Sequence, residues 1–186
     1  MTIKTLTTAA ALAVTAGMVF ADGHVANPMV GGAEMMAEMN IIENAVNSPI
    51  HTTLVAAVTQ AGLVDTLSGS GPFTVFAPTD EAFGMITDET LGALMMDDNK
   101  AQLTQILTCH VVGAEVFSEA LAGMISDGGG AFAVETLGGC MLNVEMDGDS
   151  ITLTDENGRV ATVTIADVDQ SNGVIHVIDR VILPQQ

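Results

Sequence analysis

The chain has 186 residues and a formal net charge of −19 at pH 7, because 23 Asp and Glu residues outnumber four Lys and Arg residues. Nucleic-acid binding needs clustered basic side chains, so this composition argues against a nucleic-acid partner, and an anionic membrane surface would repel the chain as well. Trp and Tyr are absent, which disfavours aromatic cages for cations and stacked-aromatic sites for sugars.

Residues 1–21 have the pattern of a secretory signal peptide. Lys4 is their only charge, an apolar stretch over 9–20 follows it, and "VFA" (19–21) fits the small-x-small cleavage pattern. We therefore predict that the exported protein begins at Asp22 and resides in the periplasm or the extracellular medium. No later stretch is long and apolar enough to cross a bilayer, so we predict no integral membrane segment.

Residues 22–39 predict an irregular, methionine-rich arm ahead of a single domain at 40–184. The arm and its one histidine contain a set of residues that could bind Cu(I) through soft thioether ligands: His24, Met29, Met35, Met36 and Met39. The alternative, which the sequence favours, is that these methionines fill gaps where the arm packs onto the domain.

Four segments carry apolar residues at helical spacing: 40–47, 51–60, 87–96 and 99–108. His51 stands at the N-terminus of the second segment. Gly62 follows that segment and suits the left-handed residue that commonly ends a helix. Asn99 begins the fourth segment and is predicted to cap it.

After residues 128–130 the apolar period changes to two, which predicts strands. The alternating runs are 142–146, 151–154 and 161–165. The dipeptides "DG" (147–148) and "NG" (157–158) lie between them and are hairpin signals. The last run, "GVIHVIDRVIL", predicts an apolar strand closed by Pro184. Helices first and a β meander last indicate an α+β fold with a mainly antiparallel sheet.

The stretch "GPFTVFAPTDEAF" predicts a strand-to-helix corner. Phe73 and Phe76 are expected to be buried in the strand, and Pro78 ends it because proline cannot donate a ladder hydrogen bond. Thr79 or Asp80 is predicted to cap the helix that follows, where the helix dipole favours acidic residues. The corner therefore has a structural role rather than a chemical one.

At this corner the sequence resembles the fasciclin domain family. "TVFAPTDEAF" (74–83) is similar to the first signature of the family, "CHVV" (109–112) falls where the family has a Tyr-His motif, and "NGVIHVIDRVILP" (172–184) is similar to the closing signature. The resemblance extends over roughly residues 40–184. It assigns signature and structural roles to Thr74, Val75, Phe76, Ala77, Pro78, Thr79, Asp80, Phe83, His110, Gly173, His176, Ile178, Asp179 and Pro184.

The resemblance implies an α+β fold in which a wedge of two mainly antiparallel β-sheets has several short helices packed alongside. It also implies a secreted adhesion or interaction module of the cell surface or extracellular space, rather than an enzyme, and no cofactor. The implied partner is a protein or another component of the cell envelope or matrix.

Two cysteines depart from the family pattern: Cys109 stands where the family prefers Tyr, and Cys140 stands where a small residue is usual. An even pair in an exported protein is more often a disulfide than two free thiols, because the compartment is oxidising. A bond would close a loop of about 30 residues, and the sequence favours it over two buried, inert thiols. The Cα separation decides, since about 7 Å is the limit for bridging.

Patterns for catalysis or for metal binding by acids are weak. His110 and His176 lie among apolar residues and are predicted to be buried and hydrogen-bonded. The chain lacks the His-Glu-x-x-His, Gly-x-Ser-x-Gly, Ser-x-x-Lys and phosphate-loop patterns. The acidic stretch "DGDSITLTDENG" (147–158) lacks the residue order of a calcium loop and fits a hairpin better. The sequence therefore predicts no catalytic residue.

Overall fold

The computed structural model describes residues 28–185. The predicted signal peptide, the predicted new N-terminus at Asp22, and His24 fall outside the described residues.

Nine strands are present in that range: β1 (Met29–Val30), β2 (Ala33–Glu34), β3 (Phe73–Pro78), β4 (Val111–Val112), β5 (Ala131–Glu135), β6 (Met141–Asp147), β7 (Ser150–Thr154), β8 (Val160–Gln170) and β9 (Gly173–Ile178). The same part of the chain forms seven α-helices and a 3₁₀ turn: α1 (Ile41–Asn47), α2 (Thr52–Ala61), α3 (Val64–Leu67), α4 (Asp80–Phe83), α5 (Asp88–Leu94), the turn (Asp97–Asn99), α6 (Lys100–Thr108) and α7 (Ser118–Asp127). The structure thus adds α3 and α7 to the predicted helices, and it places β5 ahead of the predicted meander.

Seven strands form one mixed sheet in the order β4-β3-β9-β8-β7-β6-β5, and β1 and β2 form a separate hairpin. Neighbouring strands are antiparallel except β3 and β9, which run parallel with Phe76 opposite His176. β8 pairs first with β7 and then with β9, and its register to β9 shifts twice between Val163 and Val168. Such bulges bend a strand, so the two halves of the sheet meet at an angle across β8. The α+β fold is confirmed, with one parallel pair in its large sheet.

Two apolar clusters lie on opposite faces of β3. The helical core includes Val30, Met35, Ile41, Leu54, Val58, Val75, Ala77, Phe83, Leu103 and Leu107. The strand core includes Phe76, Cys109, Leu121, Ile125, Cys140, Leu142, Val144, Leu153, Ala161, Ile178 and Ile182. Because successive side chains of a strand point to opposite faces, Val75 and Ala77 enter the helical core and Phe76 enters the strand core. The expectation that the strand buries two Phe side chains holds for Phe76 only, since Phe73 is half-buried.

The ends of the helices follow the sequence signals with one exception. Asn40 and Glu43 form a capping box at the start of α1. Gly62 ends α2 in the left-handed conformation (φ 74°), as predicted. Asn99 precedes α6, but its Nδ2 donates to the Ala93 carbonyl (2.7 Å) instead of its Oδ1 capping the helix. Asn99 therefore stands at the predicted cap position, but its side chain binds the end of α5 and does not cap α6.

The described part of the predicted irregular arm, residues 28–39, is folded onto the domain. It contains the β1–β2 hairpin, and the side chains of Val30 and Met35 are each 2% exposed in the helical core. Asn44 of α1 binds the backbone of Met36 at both ends of its amide, accepting from the N–H (3.0 Å) and donating to the carbonyl (2.7 Å). This paired hydrogen bond fixes the hairpin against α1.

The closing segment of the chain leaves the sheet earlier than predicted. β9 ends at Ile178, because Asp179 binds the backbone of Thr162 through its N–H (3.2 Å) and its Oδ1 (2.7 Å). Beyond this point the backbone pairs with side chains: Ile182 N–H donates to His110 Nε2 (2.9 Å) and Leu183 N–H to Asp155 Oδ2 (3.2 Å). The predicted strand up to Pro184 is therefore wrong from Asp179 onward, which is nearly half of its length.

Candidate interaction site

The strand-to-helix corner caps two helices. Thr79 Oγ1 accepts from the Ala82 N–H (3.2 Å) at the start of α4, which is one of the two caps that the sequence proposed. Asp80 turns to the neighbouring α2 instead and accepts from the Thr53 N–H (2.7 Å) and the Thr52 hydroxyl (2.8 Å). His51 stands at the cap position of α2, but its side chain forms no capping hydrogen bond. Asp80, which is 28 residues from Thr52, supplies the capping oxygens instead.

The environment of Asp80 favours its charged form. Desolvation raises its pKa, but the hydrogen bonds from Thr53 and Thr52 outweigh this effect, and the net pKa is lower than its ordinary value of 3.8. The carboxylate also lies at the N-terminus of α2, where the helix dipole favours a negative charge. Asp80 therefore links the corner to the helical core in the ionised state.

Thr74 holds the segment that follows β4. Its hydroxyl donates to the Ala114 carbonyl (2.6 Å) and accepts from the Val116 N–H (2.9 Å). The Ala114 carbonyl and the Val116 N–H of this irregular stretch are thereby paired inside the fold, as buried backbone groups require. The signature threonine thus fixes the path of residues 113–116 towards α7.

His110 is buried and both of its ring nitrogens are bound to backbone. Nδ1 lies 2.8 Å from the Ile106 carbonyl, and Nε2 accepts from the Ile182 N–H (2.9 Å). A carbonyl only accepts, so Nδ1 carries the proton and the ring is neutral. Burial lowers the pKa of His110 to about 4, while the Ile106 carbonyl and the charge of Asp155 oppose this. The neutral ring ties α6 to the closing segment.

His176 makes an equivalent connection on β9. Its Nε2 donates to the Val116 carbonyl (2.9 Å), its Nδ1 accepts from the Asp167 N–H (3.3 Å), and its ring stacks on Phe76 with centroids 5.7 Å apart. Burial lowers its pKa, against the raising effects of the Val116 carbonyl and of Asp167. Asp167 in turn has φ 58° in the bulge of β8, and its carboxylate accepts from the N–H (2.7 Å) and the hydroxyl of Ser118 at the start of α7.

Gly173 allows β3 and β9 to approach each other. Its φ of 152° lies in the range that favours glycine, and a Cβ there would collide with the Phe73 carbonyl. The neighbouring Asn172 accepts from the Ile41 N–H (3.0 Å) and donates to the carbonyls of Leu67 and Gly69 (2.8 Å each). The start of the closing signature therefore joins α1, α3 and the sheet.

The two cysteines form a disulfide between the ends of the sheet. Cys109 follows α6 and Cys140 precedes β6, with a Cα–Cα distance of 5.3 Å. Beside the bond, Leu137 N–H donates to the Val111 carbonyl (2.7 Å) and Gly138 N–H to the Thr108 carbonyl (3.0 Å). The disulfide that the sequence favoured thus lies next to backbone hydrogen bonds that join the β4 end of the sheet to the loop between β5 and β6.

An apolar groove opens where the two ends of the sheet face each other. This terminal groove, of about 280 Å³, lies between α7, β5 and the segment that follows β4. Its lining includes Phe76, Val112, Val116, Leu121, Phe132 and Val134, and one acidic residue, Glu135. Residues near it in the chain, Phe117 and Leu137, keep 38% and 52% of their surface exposed. The sequence missed the groove, because α7 and β5 were not among the predicted elements.

The model of the fasciclin domain matches residues 49–184 of this chain. The chain belongs to the fasciclin domain family. It is 41% identical over 160 residues to protein sll1483 of Synechocystis sp., and this alignment covers 84% of the chain and 79% of that protein. It is 34% identical over 171 residues to immunogenic protein MPB70 of Mycobacterium bovis, covering 88% and 79% of the two proteins.

The fold is also that of a solved fasciclin structure. A FAS1 domain pair from the insect cell adhesion molecule fasciclin I has a TM-score of 0.68 to this chain at 22% identity, covering 78% of this chain and 51% of the pair. The chain therefore spans about half of that structure, and the likeness shows the fold.

The signature positions of this fasciclin domain are mostly interior. Val75, Ala77 and Phe83 pack in the helical core, Ile178 packs in the strand core, and Pro184 is half-buried. The polar signature side chains bind backbone of other elements, as described for the corner and the two histidines. The sequence reasoning missed their partners, because those partners lie up to 131 residues away.

The methionine set is divided by the structure. Met35 is buried in the helical core, which is what the packing explanation predicts for it, while Met29 and Met36 are 58% and 41% exposed. Met39 accepts a weak hydrogen bond from Asn47 Nδ2 (3.7 Å). Between residues 28 and 185, no group of three or more His, Cys, Asp and Glu side chains is arranged to hold a metal ion.

Chemistry at the buried polar groups of the fasciclin domain is limited by access. Ser48 Oγ lies 2.7 Å from His51 Nδ1, a pairing that activates serine in hydrolases, but both residues are 3% exposed. Burial lowers the pKa of His51, opposed by the Ala77 carbonyl and the charge of Asp80.

No helix in the described part of the chain has the length and apolar character to cross a membrane.

Proposed function

We propose that this protein is an exported, non-catalytic interaction module that recognises a protein or another component of the cell envelope or extracellular matrix. The proposal includes the predicted signal peptide, cleavage before Asp22, and residence in the periplasm or the medium. Membership of the fasciclin family supports it, as does the fold shared with the cell adhesion molecule fasciclin I.

The observation that carries the proposal is the contrast between the polar signature residues and the terminal groove. His110, His176 and Thr74 are buried and bound to backbone, so they serve the fold. The groove is apolar, open and placed between the two end strands of the sheet. A solvent-accessible apolar groove of this kind is typical of a site for a partner.

The groove favours an extended, basic segment of a partner protein. β4 and β5 are end strands, and such strands pair with added strands through their free backbone groups. Glu135 lies at the groove, and Glu115 and Glu119 are exposed on the neighbouring segment and helix. Together with a net charge of −19, these carboxylates favour Lys and Arg on the partner and repel acidic chains.

Binding of the purified protein to intact cells and to isolated envelopes of the native host tests the proposal. Val134→Glu places a charge in the groove and should weaken binding at least ten-fold, because its half-buried side chain lines the site. Val160→Glu makes the same change at a 48% exposed position of β8 outside the groove and should leave binding unchanged. Equal binding by both variants, each with a native melting curve, would show that the groove is not the contact.

Export is tested separately. N-terminal sequencing of protein recovered from periplasm and medium should give Asp22. Recovery of a chain that begins at Met1 or Thr2 would contradict the proposed location, whatever the outcome of the binding assay.

A further inference from the structure

A second cavity lies in the helical core, away from the terminal groove. Its volume is about 140 Å³, and its walls come from α1, α2 and α3 with β3 and the end of α6 behind them. Protein interiors are close-packed and contain few voids larger than a water molecule. An apolar pocket of this size is large enough to admit a small apolar molecule.

The polar atoms that line the cavity are already paired. Thr59 Oγ1 donates to the Val55 carbonyl (2.7 Å), and both ring nitrogens of His110 are bound to backbone. A buried water needs two to four polar partners, and a cavity without them stays dry. The inner part of the cavity therefore offers water few hydrogen-bond partners and favours apolar matter.

The cavity opens to solvent at a rim of half-buried and exposed side chains. Ile42 and Val55 are half-buried, and Val46 is 60% exposed although it lines the cavity. Glu43, next to Ile42 in α1, and Asp65, next to Val64 in α3, are exposed. A molecule can therefore enter between α1 and α2, and an anionic head group at the rim would meet carboxylates of its own sign.

We propose that this cavity binds a neutral apolar ligand, namely an aromatic ring or the end of an uncharged hydrocarbon chain of about six carbons. An apolar cavity of about 150 Å³ in another protein stays dry and binds benzene, which sets the scale of the ligand. This activity is separate from the proposed recognition of a protein partner. The site would let the domain carry or sense a small apolar molecule in its exported location.

The test uses benzene, n-hexanol and hexanoate as probes, added to the ¹⁵N-labelled protein and followed by NMR. Benzene and hexanol should shift the amide signals of α1, α2 and His110 in a saturable manner and compete with each other. Hexanoate at pH 7 should bind at least ten-fold more weakly than hexanol. Shifts confined to other parts of the chain, or no saturable shifts up to the solubility limit of benzene, would overturn the proposal.

Two variants assign the binding to the cavity. Val55→Phe fills the cavity. Val46→Phe covers its rim at a position that is 60% exposed, so the fold should tolerate the larger side chain. Each substitution should weaken benzene binding at least ten-fold. Val160→Phe makes the same substitution on β8 and should bind as the unaltered protein does. If Val55→Phe fails to fold, Val46→Phe decides, and unchanged benzene binding in Val46→Phe would place the ligand elsewhere.

Discussion

The helical core and the strand core are assembled in different ways. The helical core draws its parts from the whole chain, and side chains of the signatures connect them: Asn172 binds Ile41 across 131 residues, and Asp80 caps α2 across 28. The strand core takes most of its buried strand residues from β6 to β8, which follow one another in hairpins, and a disulfide lies within it. The helical core therefore depends on long-range polar links, whereas the strand core depends on local turns and one covalent bond.

Phe76 tests whether the two cores are energetically joined. It is 1% exposed in the strand core, lines both cavities, and stacks on His176. We expect Phe76→Ala to lower the free energy of unfolding by about 3–5 kcal/mol, the usual cost of removing a buried Phe side chain. Denaturant unfolding followed by circular dichroism measures this.

Phe117→Ala is the matched control, because Phe117 is 38% exposed and should cost less than about 1 kcal/mol. Equal losses for the two substitutions would mean that Phe76 does not pack between the cores.

Removal of the disulfide should weaken the strand core. Its two cysteines are 31 residues apart, and a closed loop of this length stabilises by about 3–4 kcal/mol in the chain-entropy model. We expect the Cys109→Ala/Cys140→Ala double variant to lose this amount in denaturant unfolding. The unaltered protein in excess reductant should match the variant, and a reductant effect on the variant itself would contradict the assignment.

Acid should destabilise the junction of the cores through His110. Its pKa is about 4 in the folded protein against an ordinary value of 6.5, so the unfolded chain binds the proton first as the pH falls. Stability is therefore full above about pH 6.5, declines between pH 6.5 and 4, and loses about 3 kcal/mol through this residue. The pKa values of His51 and His176 are also lowered, so their losses add to it.

The pH dependence of unfolding in His110→Gln isolates this contribution. The variant should be less stable at pH 7 but should lose less on acidification than the unaltered protein. Parallel curves for the two proteins between pH 7 and 4 would refute the role of His110.

The two caps at the corner allow the smallest and most local test. Asp80→Ala and Thr79→Ala should each cost about 1 kcal/mol, the first through α2 and the second through α4. The pKa of Asp80 is lowered, so its contribution is present above about pH 3.8 and is lost as the pH falls further. Unfolding of both variants at pH 7 and pH 3 measures this, with Glu81→Ala as an exposed control expected to change stability by less than 0.5 kcal/mol. A larger effect of Asp80→Ala at pH 3 than at pH 7 would reverse the expected sign.

The comparison of the cores also explains what the sequence could predict. Hairpin signals at Asp147-Gly148 and Asn157-Gly158 predicted β6, β7 and β8 because their pairing is local. The strand at the corner and the cap at Thr79 were predicted for the same reason. The parallel pairing of β3 with β9 could not be read in this way, since its partners are about a hundred residues apart.

The errors come from contacts that local patterns do not contain. Asp80 resembles a cap for its own helix, yet α2 needs a carboxylate that His51 does not supply. An irregular arm was predicted for residues 22–39, yet its described part contains the β1–β2 hairpin. α7 was missed although Leu121, Met124 and Ile125 have helical spacing, and the terminal groove was missed with it. The disulfide was predictable because Cys109 and Cys140 are both unusual at their positions, and two such departures together suggest a bond.

The joined ends of the sheet affect how copies of this protein meet each other. An open sheet has two edges, and each is a template on which another chain can add a strand and begin an aggregate. Here the disulfide and the Leu137 to Val111 hydrogen bond tie the β4 edge to the loop between β5 and β6. These links occupy backbone groups at the β4 edge, which limits the addition of a further strand there.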